Sequence, residues 1–523
     1  MADHRVIVIG AGMGGLVCAL QLAARGCEVT VLEAAQQVGG KMRPAVVDGA
    51  SIDAGPTVFT MRWVFEELMH DIGSDLSELP ALQPLHLLAR HAWSQGGRLD
   101  LYDDRQRSAQ AIAEFSSPQE AQRYLSFCDE AQRVYQTLEA PHIRSSRPGM
   151  GRMISDLGWR GLATLSRLGP FYSLAHTLSQ RFEDPRLQQL FSRYATYCGA
   201  SPWKAPATLM LVAHVEQDGV WSVPGGMAAW AEGLAEAIRR RGGRIRLGCS
   251  VSRLQVRQQR LTGVILSSGE QLGADSVVFN GDVSALASLW PSQEGSLPQP
   301  PAPTPIHQRS LSAMTWAMHA QTRGLPLTRH NVFFDDHYHR EFDDIFEHRR
   351  LPARATVYLC AQDQGDEPRQ LEAPQRLLAL VNAPADGDQR EFTESEMAAC
   401  EKHCLALLRR CGLEVTVSSP QQVLRRTPAD FHRMFPGSGG ALYGPATHGW
   451  TALFQRQSAT TALPGLYLAG GSIHPGPGVP MAAMSGRLAA ATLMAHRDSM
   501  RRLHPVRISG GTSTPSVTTV GMR

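Results

Sequence analysis

Lysine is nearly missing from this chain. Of 51 basic residues among 523, only Lys41, Lys204 and Lys402 are lysines; the rest are arginines. Chemistry through a lysine Schiff base therefore has three candidate residues. An excess of charge is also lacking. With 48 acidic residues the formal net charge is +3, which argues against a dedicated nucleic-acid binder. The nine cysteines show no disulfide-like spacing and read as reduced, largely buried thiols of a cytosolic protein. No Ser-His-Asp order, P-loop or H-E-x-x-H motif is present, and no internal repeat. A basic n-region with an A-x-A cleavage site is missing too, so no secretory signal is expected.

Two uncharged runs resemble membrane spans and fail as such. Residues 6–24 carry no charge over 19 positions and contain Gly10-x-x-x-Gly14, a transmembrane dimer pattern. Four glycines crowd one turn there, however, and a patterned strand follows at once. Residues 457–486 are uncharged for 30 positions, but Pro464, Pro475, Pro477, Pro480 and six glycines break any helix. The hydrophobic fraction of 43% fits a folded, soluble-type chain of a few domains.

The first run has a more specific reading. Arg5–Ile9 is a strand of β-branched residues that enters Gly10-Ala11-Gly12-Met13-Gly14-Gly15, a fit to G-x-G-x-x-G. Leu16, Ala19, Leu20 and Ala23 then repeat at helical spacing, and Gly26 ends the helix as a C′ glycine. Glu28–Leu32 is the second strand, with Glu33 at its end. Gly10 permits a tight turn, Gly12 lets backbone approach a pyrophosphate, and Gly15 lets helix and strand pack closely. The helix N-terminus offers free N–H groups to phosphates, and Glu33 suits an adenosine ribose. This is a dinucleotide site for NAD(P) or FAD.

The next residues favour FAD. Leu32-Glu33-Ala34 is followed by Gly39-Gly40-Lys41-Met42-Arg43 and Asp53-Ala54-Gly55-Pro56-Thr57. This L-E-A-x4-G-G-[RK] arrangement resembles the FAD oxidoreductases that include amine oxidases and carotenoid desaturases. Gly470-Gly471-Ser472-Ile473-His474-Pro475-Gly476-Pro477-Gly478-Val479-Pro480 is similar to the bacterial-type carotenoid desaturases, with serine where threonine is common. Residues 331–346, Val223-Pro224-Gly225-Gly226-Met227 and Val278-Phe279-Asn280-Gly281-Asp282 extend the likeness over about 5–500. Read without any family, the Gly/Pro run lies between a buried strand at 465–469 and a helix at 481–495, whose N-terminus would face a ligand.

Asp53 to Thr57 with Met61-Arg62-Trp63 looks like the desaturases of 1-hydroxy- and 1-methoxycarotenoids in spheroidene and spirilloxanthin biosynthesis. The resemblance implies an α/β fold: a Rossmann-like FAD domain of glutathione-reductase/amine-oxidase type with an inserted mixed α+β substrate domain. The expected division is 1–85, 221–290 and 431–500 for FAD, and 86–220 and 291–430 for substrate and membrane contact. Residues 501–523 are expected to form a disordered tail.

The cofactor set it implies is Gly10, Gly12, Met13, Gly14, Gly15, Glu33, Ala34, Gly39, Gly40, Lys41, Met42, Gly55, Pro56 and Thr57 from the N-terminal part. Val251 (in a turn against adenine), Asn280, Gly470, Gly471, Gly478, Val479 and Met481 complete it. Met61, Arg62, Trp63 and His474 are substrate candidates. The resemblance further implies desaturation by hydride loss to flavin N5 and proton loss, with no identifiable catalytic base. Its partners would be an acyclic carotenoid, oxygen or a quinone as electron acceptor, and the cytoplasmic membrane surface, met peripherally through an apolar, Arg-rimmed patch. Nucleic acid and metal play no part. Cys400-x-x-His403-Cys404 with Cys411 lies on a helical pattern at 394–411 and reads as helix packing, and His337-Tyr338-His339 with Asp335 and Asp336 as a loop. Alternatives are a phytoene-type desaturase, a non-catalytic prenyl-lipid binding protein on the same fold, and an amine oxidase.

Overall fold

The computed structural model describes residues 4–146, 161, 172–291, 297–367 and 371–503. Its N-terminal segment is a βαβ unit: strand Arg5–Ile9, helix Met13–Ala24 and strand Glu28–Leu32, the strands parallel. Val6, Val8, Val29 and Val31 are buried, as β-branched residues of a sheet covered on both faces should be. Gly26, at φ +76°, ends the helix, a conformation open to glycine without strain.

Three distant stretches complete this sheet. Its order is Leu466–Leu468, Ser276–Phe279, Arg5–Ile9, Glu28–Leu32, Arg244–Arg246, all parallel. Helices Met13–Ala24, Met227–Arg240 and Val479–Leu503 share one apolar core on one face. On the other, a three-stranded antiparallel sheet packs Leu254, Leu261 and Val264 near Ile7 and Val277.

An eight-stranded sheet makes a second layer. Along its main path it runs Leu413–Thr416, Ser312–Gly324, Gln375–Ala383, Val357–Ala361, His330–Phe334, Leu87–Trp93, Arg98–Tyr102, and Val423–Arg426 pairs with Ser312–Gly324. All its pairings are antiparallel except His330–Phe334 with Leu87–Trp93. Helix Glu394–Arg410 opens on a capping box of Thr393 and Glu396 and buries Met397, Cys400, Cys404 and Leu407 in a core shared with Trp316 and Leu377. Helices Pro118–Leu138 and Pro185–Ser192 bury Phe127 and Phe191 with Phe182 in a third core. Each such ring contributes ~1.5–3 kcal/mol.

Asp53 joins the layers. Its carboxylate accepts from the Met227 N–H at 3.1 and 3.0 Å, at the start of the helix after Val223-Pro224-Gly225-Gly226. Its backbone exchanges two 2.9 Å hydrogen bonds with the Gln362 side chain of the large sheet. The Asp-Ala-Gly-Pro-Thr and Val-Pro-Gly-Gly-Met motifs are thus one contact, and burial raises the Asp53 carboxyl above its usual value.

Three expectations are corrected. Val251 opens the strand Val251–Arg257 rather than a turn. His337-Tyr338-His339 leads into helix Tyr338–Phe346 rather than a loop; Phe342 and Ile345 pack with Leu311, Tyr338 and Trp203 on that helix's apolar face. Residues 501–503 continue helix Val479–Leu503, which meets no proline before Pro505. The rest of the expected tail, 504–523, lies outside the described residues, as do 292–296 of the proline-rich connection and 147–160 and 162–171 of the inserted unit. Among the described residues no helix is long and apolar enough to cross a membrane. Exposed large apolar side chains there are Val46, Tyr172, Leu247, Leu424 and Trp450; only Tyr172 and Leu424 fall in 86–220 or 291–430.

Candidate active site

A cavity of about 780 Å³ runs from the parallel sheet to the large sheet. At the first end, Gly10 turns at φ +95°, and Gly12 and Gly39 meet in a parallel bridge. The Gly39 N–H donates to Ala11 O at 2.8 Å, and Asn280 Nδ2 donates to Gly10 O at 3.1 Å. The crossing leaves no room for side chains: a Cβ on Gly12 would lie 2.9 Å from Asn280 Nδ2. Glu33, 7% exposed, accepts from the N–H groups of Ala11 at 2.7 Å and Ala35 at 2.9 Å and lines the cavity. A helix N-terminus free of acidic residues beside a fixed carboxylate fits a dinucleotide's pyrophosphate and ribose.

Gly14, Gly39, Gly40, Lys41 and Met42 continue the lining, with Gly55, Pro56, Thr57, Gly470, Gly471, Gly478, Val479 and Met481. Gly12, Met13, Ala34, Val251 and Asn280 also face it. Lys41 Nζ donates to Leu442 O at 2.6 Å, and burial lowers its ammonium. Ser472 Oγ accepts from the Val283 N–H at 3.1 Å, so the loop hydroxyl ties two segments together. Arg456 donates to the carbonyls of Tyr443, Gly471 and Pro445 at 3.1, 3.2 and 2.8 Å; burial pulls its guanidinium down to about 10. No motif had pointed to it.

Residues 13–494 match the flavin containing amine oxidoreductase family. A hydroxyneurosporene desaturase of Rubrivivax gelatinosus is 59% identical over 100% of this chain and 99% of its own length. A second, from Cereibacter sphaeroides, is 41% identical over 95% and 99%. The chain belongs to the flavin containing amine oxidoreductase family, and within it to the carotenoid desaturases. A 4,4'-diapolycopene oxygenase of Methylomonas is 28% identical over 94% of this chain and 98% of its own. A redesigned putrescine oxidase shares the fold at TM-score 0.60 and 15% identity, covering 94% of this chain and 99% of that one. The desaturase is therefore an oxidoreductase of carotenoid CH–CH bonds with a flavin site on an amine-oxidase fold.

Four predicted site residues of this desaturase lie off the cavity lining: Gly15, Arg62, Trp63 and His474. Gly15 sits where helix and strand touch, and a Cβ there would come 2.8 Å from Asn280 Nδ2. Arg62 pairs with Glu66 at 2.9 Å. Trp63 donates from Nε1 to Tyr135 OH at 3.2 Å, and the Arg144 guanidinium lies 4.0 Å over its ring. Met61 does line the cavity. His474 Nε2 is 2.8 Å from Ser145 O, and its ring meets His142 edge-on at 4.9 Å. Burial lowers His474 to about 4 and His142 to about 3, so both are neutral near pH 7.

Leu209, Leu211, Val212 and Val215 give the cavity an apolar wall, and its lining also includes Arg193, Tyr338 and Glu341. Sequence reading assigns none of them to the site: Arg193 lies outside every motif, and the 331–346 segment that holds Tyr338 and Glu341 reads as a loop of the family pattern. The available signal was spacing: Tyr338 and Glu341 stand three apart on helix Tyr338–Phe346, on the side of buried Phe342 and Ile345.

Asp335, Asp336 and His337 hold possible metal-ligand atoms within 4.8 Å of one another. Two arginines already balance them: Arg354 Nη1 lies 3.2 and 3.0 Å from Asp335 and Asp336, and Arg410 Nη2 2.7 Å from Asp335.

Proposed function

We propose that the protein is an FAD-dependent desaturase that forms the C3–C4 double bond of an acyclic 1-hydroxy- or 1-methoxycarotenoid, as in spheroidene and spirilloxanthin biosynthesis. The observation that carries this is one cavity joining the glycine-and-Glu33 cradle to the apolar wall of Leu209, Leu211, Val212 and Val215. The high identity to hydroxyneurosporene desaturases supports the substrate class.

Bound FAD would accept the hydride taken from the substrate. This chain's residues bind and orient. The N–H groups at the start of Met13–Ala24 would hold the phosphates, and Glu33 would receive the ribose hydroxyls. The Gly470–Met481 stretch would let backbone reach the flavin, and the N-terminus of Val479–Leu503, which lines the cavity, would favour the negative charge the ring gains on reduction. The apolar wall excludes water and holds the polyene extended beside the reacting bond. No nucleophile is required.

The reading includes the discontinuous FAD unit (1–85, 221–290, 431–500) and the substrate and membrane-contact unit (86–220, 291–430). It includes oxygen or a quinone as acceptor and peripheral contact on the cytoplasmic membrane face, since the substrate dissolves in lipid; it calls for no nucleic acid and no metal. Expression in cells that accumulate 1-hydroxyneurosporene tests it. Pigment with one more conjugated double bond, absorbing further to the red, is expected; unchanged pigment refutes the reading.

A further inference from the structure

A cavity meant for a pure hydrocarbon has no use for buried hydrogen-bond donors, because every donor left facing an apolar ligand penalises binding. This one contains such donors. Arg193 lines the cavity. Among the described residues its side chain has one hydrogen bond, from Nη1 to Tyr197 OH at 3.1 Å, and no carboxylate stands at ion-pair distance. Its guanidinium lies 5.3 Å over the Tyr358 ring.

Tyr338, in the same lining, has a buried hydroxyl with no hydrogen-bond partner among the described residues. Its neighbour Glu341 is 1% exposed and fully engaged: Oε2 accepts from the Thr356 N–H and Oε1 from Asn382 Nδ2, both at 2.8 Å. Glu341 thus stiffens the helix that carries Tyr338 without competing for its hydroxyl.

Position adds to the case. Tyr358, beneath Arg193, shares a 2.6 Å hydrogen bond with Thr57 Oγ1 of the Gly-Pro-Thr segment. Arg193 is thereby linked, through the Tyr358 ring, to the flavin-facing loop. In a 1-oxygenated carotenoid the oxygen sits on the carbon next but one to the bond being desaturated. Its partner must therefore lie on the flavin side of the cavity, to which Tyr358 links Arg193 and whose lining Tyr338 shares. Tyr338 OH and the remaining Arg193 N–H groups donate, so both residues can serve an ether oxygen or a hydroxyl oxygen. That accounts for hydroxy and methoxy substrates alike.

We propose that Arg193 and Tyr338 form the subsite that recognises the oxygen at C1 and set the preference for oxygenated over hydrocarbon carotenoids. This rests on the function proposed above and replaces the Met61-Arg62-Trp63 run as the specificity element, two of whose three residues lie off the cavity lining.

The test uses FAD-loaded full-length protein with 1-hydroxyneurosporene and neurosporene in detergent micelles, reading both turnover and binding by quenching of flavin fluorescence. The wild type is expected to bind the hydroxylated carotenoid at least ten-fold more tightly. Tyr338→Phe removes only the hydroxyl. It should lower kcat/KM and binding for 1-hydroxyneurosporene about ten-fold while changing neurosporene binding less than about two-fold. Arg193→Gln, checked for flavin content, should shift the same ratio further. Equal binding of both carotenoids by the wild type, or parallel losses for both in Tyr338→Phe, overturns the subsite. Selective binding without turnover supports the subsite and refutes the desaturation reading instead.

Discussion

Gly15→Ala sets two physical effects against each other with opposite signs. Glycine inside a helix is worse than alanine by ~1 kcal/mol, so propensity alone makes the substitution stabilising. The structure says otherwise. A Cβ at Gly15 would lie 2.8 Å from Asn280 Nδ2 and closer still to the Gly10 carbonyl oxygen. Neither neighbour is free to move: Gly10 opens the phosphate turn, and Asn280 Nδ2 holds Gly10 O at 3.1 Å. Restoring a normal contact of about 3.5 Å requires the helix start to back away by ~1 Å. Overpacking of this kind costs ~1–3 kcal/mol, and the same displacement removes the N–H groups from the phosphates. Gly26→Ala is the control, since among the described residues no atom beyond its chain neighbours lies within 4 Å of its Cβ and only the φ of +76° is strained; it should lose ~1 kcal/mol and keep its flavin. Thermal unfolding of apoprotein and flavin fluorescence titration measure both quantities. Gly15→Ala should unfold earlier and bind FAD at least ten-fold more weakly. A stabilised Gly15→Ala with wild-type flavin affinity refutes the close-packing argument.

Glu33→Gln should weaken FAD binding by ~1.5–3 kcal/mol, because an amide cannot accept from both Ala11 and Ala35 N–H; flavin titration checks it. Trp63→Phe should cost ~1 kcal/mol of stability through the lost bond to Tyr135, with substrate preference unchanged in a mixed-carotenoid assay. His142 and His474 titrate in the folded protein near 3 and 4, below the usual value near 6.5. Their contribution is thus present above about pH 6.5 and lost as pH falls toward 4. The carboxyls of Asp53 and Glu341, raised by burial, act oppositely, losing stability as pH rises through their folded values. Comparing wild type with His142→Phe isolates the imidazole: urea unfolding from pH 4 to 7 should show a slope flatter by ~1–3 kcal/mol in total.

The nucleotide half was legible because its chemistry is local. Turn, helix start and acid must follow one another within one βαβ unit, so G-x-G-x-x-G and Glu33 could be read from spacing alone. The substrate half resisted because its contacts are distant in sequence. Arg193, Tyr338 and Glu341 converge through the large sheet and two separate helical segments, and nothing in either stretch alone shows that they share a cavity. The Met61-Arg62-Trp63 run stood out by adjacency to the flavin loop, yet helix Trp63–Asp71 begins there and carries Trp63 toward Tyr135. Asp53, which opens the Asp-Ala-Gly-Pro-Thr segment, holds the Met227 N–H, a long-range contact that spacing cannot show.

The central claim is that a bound flavin takes hydride from a carotenoid oxygenated at C1. Mixing FAD-loaded protein with 1-hydroxyneurosporene without oxygen or other acceptor tests it most directly. The account predicts bleaching of the oxidised-flavin absorbance, with one new carbon–carbon double bond formed per flavin reduced. A flavin that stays oxidised while the carotenoid is demonstrably bound would contradict it.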